Sequence, residues 1–394
     1  MAPVLAFDAL TEGVQADETP SKLHTVVDAT TGRTPTSWDE IEKGSGTGLF
    51  VGAVGLGTTE GASGFEMRDP QGNTTTDLHN ATSDADAVAD AVLGDGTNSD
   101  RASAGVDAHY GAEKTYEFYN TVLGRAGIYN NGTGVRSRVH YGNAYVNAFW
   151  DGTQMTYGDG AGNNAPLVEL DVAGHEMSHG VTENTAGLAY TGDAGGLNES
   201  TSDIFGTSVE WFANNPSDVP DYLIGELINL NGNGTPLRYM DKPSKDGGSK
   251  DCWSSSLGGL DPHYSSGPLN HWFYLASEGS GAKTINGVSY NSPTCDASTV
   301  TPVGRDKAEK IWYRTLSTYL TSSSTYADTR DASIASAKDL YATDPGVCSG
   351  IAAAFSAIAV PPGAATCGCP GPAAYRLRLS RRAGIPGWRR SRRR

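Results

Sequence analysis

Apolar and polar positions along this chain fall into two textures. From about Val168 to Val360 apolar residues recur three and four apart, in "LVELDVAGHEMSHGVTENTAG", "LNESTSDIFGTSVEWFAN", "GPLNHWFYLASEG", "GRDKAEKIWYRTLSTYL" and "TRDASIASAKDLYA". That spacing predicts amphipathic helices, the last being "GIAAAFSAIAV". Before this, residues 44–165 are rich in Gly, Asn, Asp and Thr, with short alternating runs such as "GFEMRD" and "QMTYGDG". These predict strands and turns, interrupted by one helix over Gly105–Val122. Residues 1–43 read as a separate piece, a strand and Gly turn in "KLHTVVDATTGRT" followed by a flexible linker in "TSWDEIEKGSGTG". Beyond Val360, "PPGAATCGCPG" breaks all periodicity. The pattern is therefore α+β: a β-rich lobe over 44–167, a mainly helical lobe over 168–360, and flanking segments 1–43 and 361–394.

Charge sharpens the picture. The net charge is −16, yet residues 371–394 hold nine Arg and no acid. The rest of the chain carries 20 basic residues against 45 acidic ones. Such an acidic body argues against nucleic-acid binding and suits a protein that holds divalent cations. The Arg-rich end predicts a disordered tail, because like charges without apolar periodicity cannot pack. No apolar run approaches the roughly 20 residues of a membrane span. The five Cys form no CxxC pair, which leaves two to four of them for disulfides and an oxidising compartment. No signal peptide is visible at Met1, so either the protein is cytosolic or the chain lacks its natural N-terminus.

The chemistry concentrates in His175-Glu176-Met177-Ser178-His179. On a helix, positions i and i+4 share a face, so His175 and His179 can point two imidazoles at one metal ion. Glu176 lies about 100° further round the helix, where it misses the ion and still reaches a water beside it. A buried helix carrying two satisfied histidines would show the same spacing. A catalytic zinc also needs a third protein ligand. Glu199, 24 residues after His175 on the next predicted helix, supplies one. Asp203, one turn later, can accept the second N–H of a metal-bound His.

These residues, together with "VDAHYGAEKTYEFY", "RVHYGNAYVNAFWDGTQMTYGDG", "HEMSHGVTENTAGLAY", "NESTSDIFGTSVEWF" and "HYSSGPLNHWFYLA", resemble the thermolysin-like zinc metallopeptidases from about Gly44 to Val360. The resemblance implies a two-lobed zincin with the active-site cleft between the lobes, one catalytic zinc, and a secreted endopeptidase acting on proteins and peptides. It implies Glu176 as general base, with Tyr190 and His263 stabilising the oxyanion. It implies Asn147 and the backbone of Ala148 as peptide-holding groups, and Arg238 as the residue that orients a substrate carbonyl. Val172 and Leu237 match walls of the pocket just past the cut, which favours an apolar residue there. A structural calcium site is implied at Asp171, Glu210, Asp218, Asp221 and Glu226. Residues 1–43 are similar to the end of an inhibitory propeptide. A monomer is expected, with no nucleic-acid or membrane partner. Cys252 and Cys295, which flank the His263 segment, are expected to form a disulfide. One departure stands out: members of the family pair the imidazole matching His263 with an Asp five residues earlier, where this chain has Gly258, although Asp261 is near. An inactive zinc-binding homologue and an aminopeptidase of the HExxH type are the competing readings.

Overall fold

The computed structural model describes residues 5–14, 20–34, 36–39, 43–61, 64–89 and 94–368. The first piece is an antiparallel three-stranded sheet of β1 (Ala6–Val14), β2 (Pro20–Asp28) and β3 (Thr36–Asp39), in that order. Two hairpins follow, β4 (Lys43–Thr47) with β5 (Ala53–Gly57) and β6 (Thr59–Gly61) with β7 (Gly64–Glu66). The main sheet takes β8 (Thr74–Asp77), β9 (Val88–Ala89), β10 (Arg136–Val139), β11 (Ala148–Trp150) and β12 (Gln154–Tyr157), in the order β11-β12-β10-β8-β9. Strand β10 runs parallel to both neighbours, whereas β11 is an edge strand antiparallel to β12, with Ala148 opposite Tyr157.

The expected helix of this lobe is α1 (Ala102–Thr121), and thirteen of its twenty residues are buried. Its apolar positions wrap the helix on more than one side, which is why it passes through the core and does not lie on a surface. Asp107 on α1 caps the chain entering the lobe: its carboxylate accepts from the backbone N–H groups of Leu49, Phe50 and Val51.

The helical lobe holds α2 (Leu170–Glu183), α3 (Gly192–Ala213), α4 (Pro262–Ser265), α5 (Gly267–Glu278), α6 (Arg305–Thr318), α7 (Tyr326–Leu340) and α8 (Pro345–Ala357). Two small hairpins interrupt them, β13 (Leu223–Ile224) with β14 (Arg238–Tyr239), and β15 (Gly281–Ile285) with β16 (Val288–Ser292). Trp272, Trp312 and Phe355 are fully buried where α5, α6 and α8 meet, with ring centroids 4.9 and 5.6 Å from Trp272. Thr325 and Asp328 form a reciprocal capping box at the start of α7.

Cys252 and Cys295 form a disulfide, the pairing expected. Beyond Val360 the described chain continues for eight residues, to Gly368. Residues 361–368 lie as a strap on the helical lobe: Asp331 accepts from the N–H of Ala364 and Ala365, Lys338 donates to the carbonyl of Thr366, and Cys367 is bonded to Cys348. The strap forms neither helix nor strand and is held by side chains of α7 and α8. The Arg-rich stretch and Cys369 lie outside the described residues.

Candidate active site

Helices α2 and α3 build the site by pressing together backbone to backbone. A Cβ on Gly174 would sit 3.0 Å from the Cα of Gly206, and one on Gly206 would run into the carbonyl oxygen of Asp171. Only glycine permits this approach, and it brings Glu199 and Asp203 of α3 opposite His175 and His179 of α2. The Nε2 atoms of the two imidazoles are 3.0 Å apart. Glu199 offers Oε2 at 3.4 Å from His175 Nε2 and Oε1 at 3.4 Å from His179 Nε2.

This donor set fits a small divalent cation. Two ligands about 2.05 Å from a tetrahedral zinc stand roughly 3.3 Å apart, close to the three spacings here. The outer nitrogens are committed elsewhere: His175 Nδ1 donates to Asp203 Oδ1 and His179 Nδ1 to Asn198 Oδ1, each at 2.8 Å. Both Nε2 atoms therefore turn inward beside a carboxylate, and Glu199 Oε2 is buried with no hydrogen-bond partner. Burial works against charge on His179, but hydrogen bonding to Glu199 wins and holds its pKa at about 9. A metal ion would compete with that proton for the same lone pair. Asp203 is fully buried, which alone would raise its pKa, yet Arg238 and His175 keep it well below the usual carboxylate range.

The residues singled out from the sequence collect around one cleft of about 980 Å³, lined by His175, Glu176, His179, Tyr190, Glu199, Arg238 and His263, with Asn147, Ala148, Val172 and Leu237 on its walls. Burial raises the pKa of Glu176 despite the nearby histidines. Tyr190 is 52% exposed and its hydroxyl donates to Glu199 Oε1. Arg238 grips Asp203 with Nε and Nη2, at 2.7 and 2.6 Å. His263 turns Nε2 toward Glu199 Oε2 at 3.8 Å, and its Nδ1 is 2.7 Å from Asp261 Oδ1. Asp261 thus supplies a carboxylate to the ring, although position 258 is a glycine. The Gly258 position has little room for any side chain, since a Cβ there would lie 3.0 Å from the backbone nitrogen of Asp193.

A second cluster lies beneath α2. Glu169, Asp218 and Glu226 bring ligand atoms within 4.8 Å of one another, as do Glu210, Asp221 and Glu226. Asp171 adjoins them, its Oδ2 accepting from Gly225 N–H at 2.9 Å. Buried oxygens without a partner include Asp171 Oδ1, Glu210 Oε1, both of Asp218 and Glu226 Oε2. Burial first, and neighbouring carboxylates second, push Asp171 up to about 8, and burial pushes Asp218 and Asp221 to about 6. Glu169, Glu210 and Glu226 are raised well above the carboxylate range for the same reasons. Unpartnered oxygens this close together call for a cation with many oxygen ligands.

Sequence reasoning missed Glu169 and Asn198. Glu169 stands two residues before Asp171, a spacing that could have flagged it. Asn198 is next to Glu199 but carries no signal of its own, because its amide meets His179 only through the packing of α2 on α3.

Two lobes, an HExxH helix and a glutamate from the next helix define a zincin-type metal centre. Family models for the thermolysin metallopeptidase catalytic domain and its alpha-helical domain match residues 43–183 and 186–360. The chain belongs to the thermolysin metallopeptidase family. It is 53% identical over 371 residues to a transglutaminase-activating metalloprotease of Streptomyces mobaraensis, covering 92% of this chain and 49% of that protein. It is 36% identical over 335 residues to bacillolysin of Bacillus cereus, covering 80% of this chain and 55% of that one. Among solved structures, the precursor of protealysin, a metalloproteinase from Serratia proteamaculans, matches with a TM-score of 0.56 and 30% identity, over 73% of this chain and 87% of that one. The chain spans about half the length of the curated relatives it matches. No helix among the described residues is long and apolar enough to cross a membrane.

Proposed function

We propose that this chain is a secreted zinc-dependent endopeptidase. The observation that carries the reading is the triad of His175, His179 and Glu199, spaced 3.0 to 3.4 Å and open to a cleft that runs beside edge strand β11. Zinc held there would supply Lewis acidity, making water acidic near neutral pH and polarising a carbonyl oxygen. Glu176 takes the proton of the attacking water and delivers it to the leaving amine, and its raised pKa suits both tasks. Tyr190 and His263 donate to the oxygen on which negative charge develops. Asn147 and the Ala148 backbone hold an extended peptide along the free edge of β11. Arg238 orients a substrate carbonyl. Val172 and Leu237 give the pocket past the cut an apolar wall that takes Leu, Ile, Val or Phe. The second cluster is a calcium cage of Glu169, Asp171, Glu210, Asp218, Asp221 and Glu226. Residues 1–43 are the remainder of an inhibitory propeptide, a reading supported by the likeness to a peptidase precursor.

The test is Glu176→Gln in the zinc-loaded chain, assayed on casein and on N-terminally blocked peptides. Hydrolysis is expected to fall by about a thousandfold, within the range for general acid–base groups, with one zinc per chain retained. A variant that keeps more than a few per cent of activity removes Glu176 from the mechanism. Native protein that cuts only unblocked N-termini would be an aminopeptidase, and zinc binding without any turnover would make the chain a binding module.

A further inference from the structure

We propose that Asn270 is a positioning residue for the metal centre, bracing Asp203 and Ser200 of α3 from the helix that follows His263. The inference rests on the zinc reading above. Asn270 lies on α5 and is 1% exposed. Its Nδ2 is 2.7 Å from Asp203 Oδ2, and its Oδ1 is 2.5 Å from Ser200 Oγ. The amide can sit only one way round, because an ionised carboxylate accepts and cannot donate.

With this bond Asp203 is saturated. Oδ1 accepts from His175 Nδ1 at 2.8 Å and Arg238 Nη2 at 2.6 Å, while Oδ2 accepts from Arg238 Nε at 2.7 Å and from Asn270. A carboxylate offers about four acceptor positions, so every one is taken. The four donors come from α2, β14 and α5, and together they leave the carboxylate no free rotation. Arg238 supplies two of them from one side. Without Asn270 nothing opposes that pull on Oδ2, and the oxygen that aims the His175 ring follows the guanidinium. Ser200 adds a second anchor directly beside Glu199. One buried amide thus holds α3 on both sides of a single turn, at the residue next to one metal ligand and at the residue that orients another. It also joins this turn to α5, which continues from the short helix bearing His263.

A buried amide could equally serve packing alone, and zinc affinity separates the two roles. Zinc affinity is measured by chelator competition in saturating calcium, with folding checked by circular dichroism and by the melting temperature of the zinc-free protein. Asn270→Leu keeps the volume and loses both hydrogen bonds. It is expected to weaken zinc about tenfold, the low end of what outer-shell partners cost. Asn270→Asp removes the donor and faces Asp203 with like charge, and is expected to weaken zinc at least as much. Ser200→Ala, which frees only one end of the amide, should shift affinity in the same direction by a smaller factor. Folded Leu and Asp variants that bind zinc within twofold of the native chain overturn the proposal. If neither folds, Ser200→Ala decides, and an unchanged zinc affinity there overturns it. Failure of the underlying zinc reading looks different: the native chain itself would not take up one tightly bound zinc.

Discussion

Asp261 serves His263 twice. Its Oδ1 accepts from the His263 backbone N–H at 3.0 Å, capping α4, and from the ring Nδ1 at 2.7 Å. A ring held through Nδ1 presents Nε2 to the cleft, which is what a donor to a developing oxyanion requires. Asp261→Asn keeps an oxygen for the cap but replaces the carboxylate beside the ring with a neutral amide. A hydrogen bond to a neutral oxygen contributes about 1 kcal/mol less than one to a charged oxygen, so kcat/KM is expected to fall about fivefold with zinc content unchanged. Steady-state kinetics on a blocked peptide would show it, and an unaltered kcat/KM would mean that the ring is held by other groups. Most of this centre is legible in the sequence because its logic is local. His175, Glu176 and His179 share one helix, and Glu199 and Asp203 share the next, so helical spacing alone nominates them. Asn198 and Asn270 were not legible, since an amide acquires a role only when tertiary packing brings a partner to it. Asp261 was visible as a neighbour of His263, but only the turn at the start of α4 decides that its carboxylate reaches the ring.

At the scale of elements, the contact between Gly174 and Gly206 sets the gauge between α2 and α3, and with it the distance from the histidines to Glu199. Gly206→Ala is expected to cost about 1–3 kcal/mol by overpacking and to weaken zinc, because the added methyl meets the Asp171 carbonyl and cannot be absorbed by a side-chain shift. Calorimetry together with zinc titration checks this; a lower melting temperature at unchanged zinc affinity would mean that the helices part without disturbing the ligands. The strap over residues 361–368 belongs to this scale too. Cutting the chain after Val360 removes the Cys348–Cys367 bond, which closes 19 residues and by chain entropy contributes about 3 kcal/mol. That truncation should lower the melting temperature by several degrees; an unchanged melting temperature would show that the strap adds nothing. The helices themselves follow from 3.6-residue periodicity, whereas irregular chain pinned by Asp331, Lys338 and a disulfide leaves no periodic trace.

For the molecule as a whole, the carboxylate cluster beneath α2 decides how stability depends on medium. Carboxyls whose folded pKa lies above the unfolded one favour the fold only while protonated. Asp171 moves from 3.8 to about 8, and Asp218 and Asp221 from 3.8 to about 6. Calcium-free protein should therefore lose stability as pH rises from about 4 to about 8, by at least about 3 kcal/mol or roughly 5 °C in melting temperature. Saturating calcium, which binds the ionised form, should abolish that slope. Melting curves with and without a calcium chelator that spares zinc would test this, and parallel pH profiles would remove calcium from the cage. Asp171 is one turn from His175 on the same helix, so on the proposed calcium reading the ground under the proposed zinc ligands is completed by an ion taken from outside. The lifetime of the active molecule is then written into the water around it. On that reading a calcium-rich medium would keep the helix firm, while in a depleted one the unbalanced charges would part and open the chain to cleavage by neighbouring copies, so that the population would clear itself without any inhibitor.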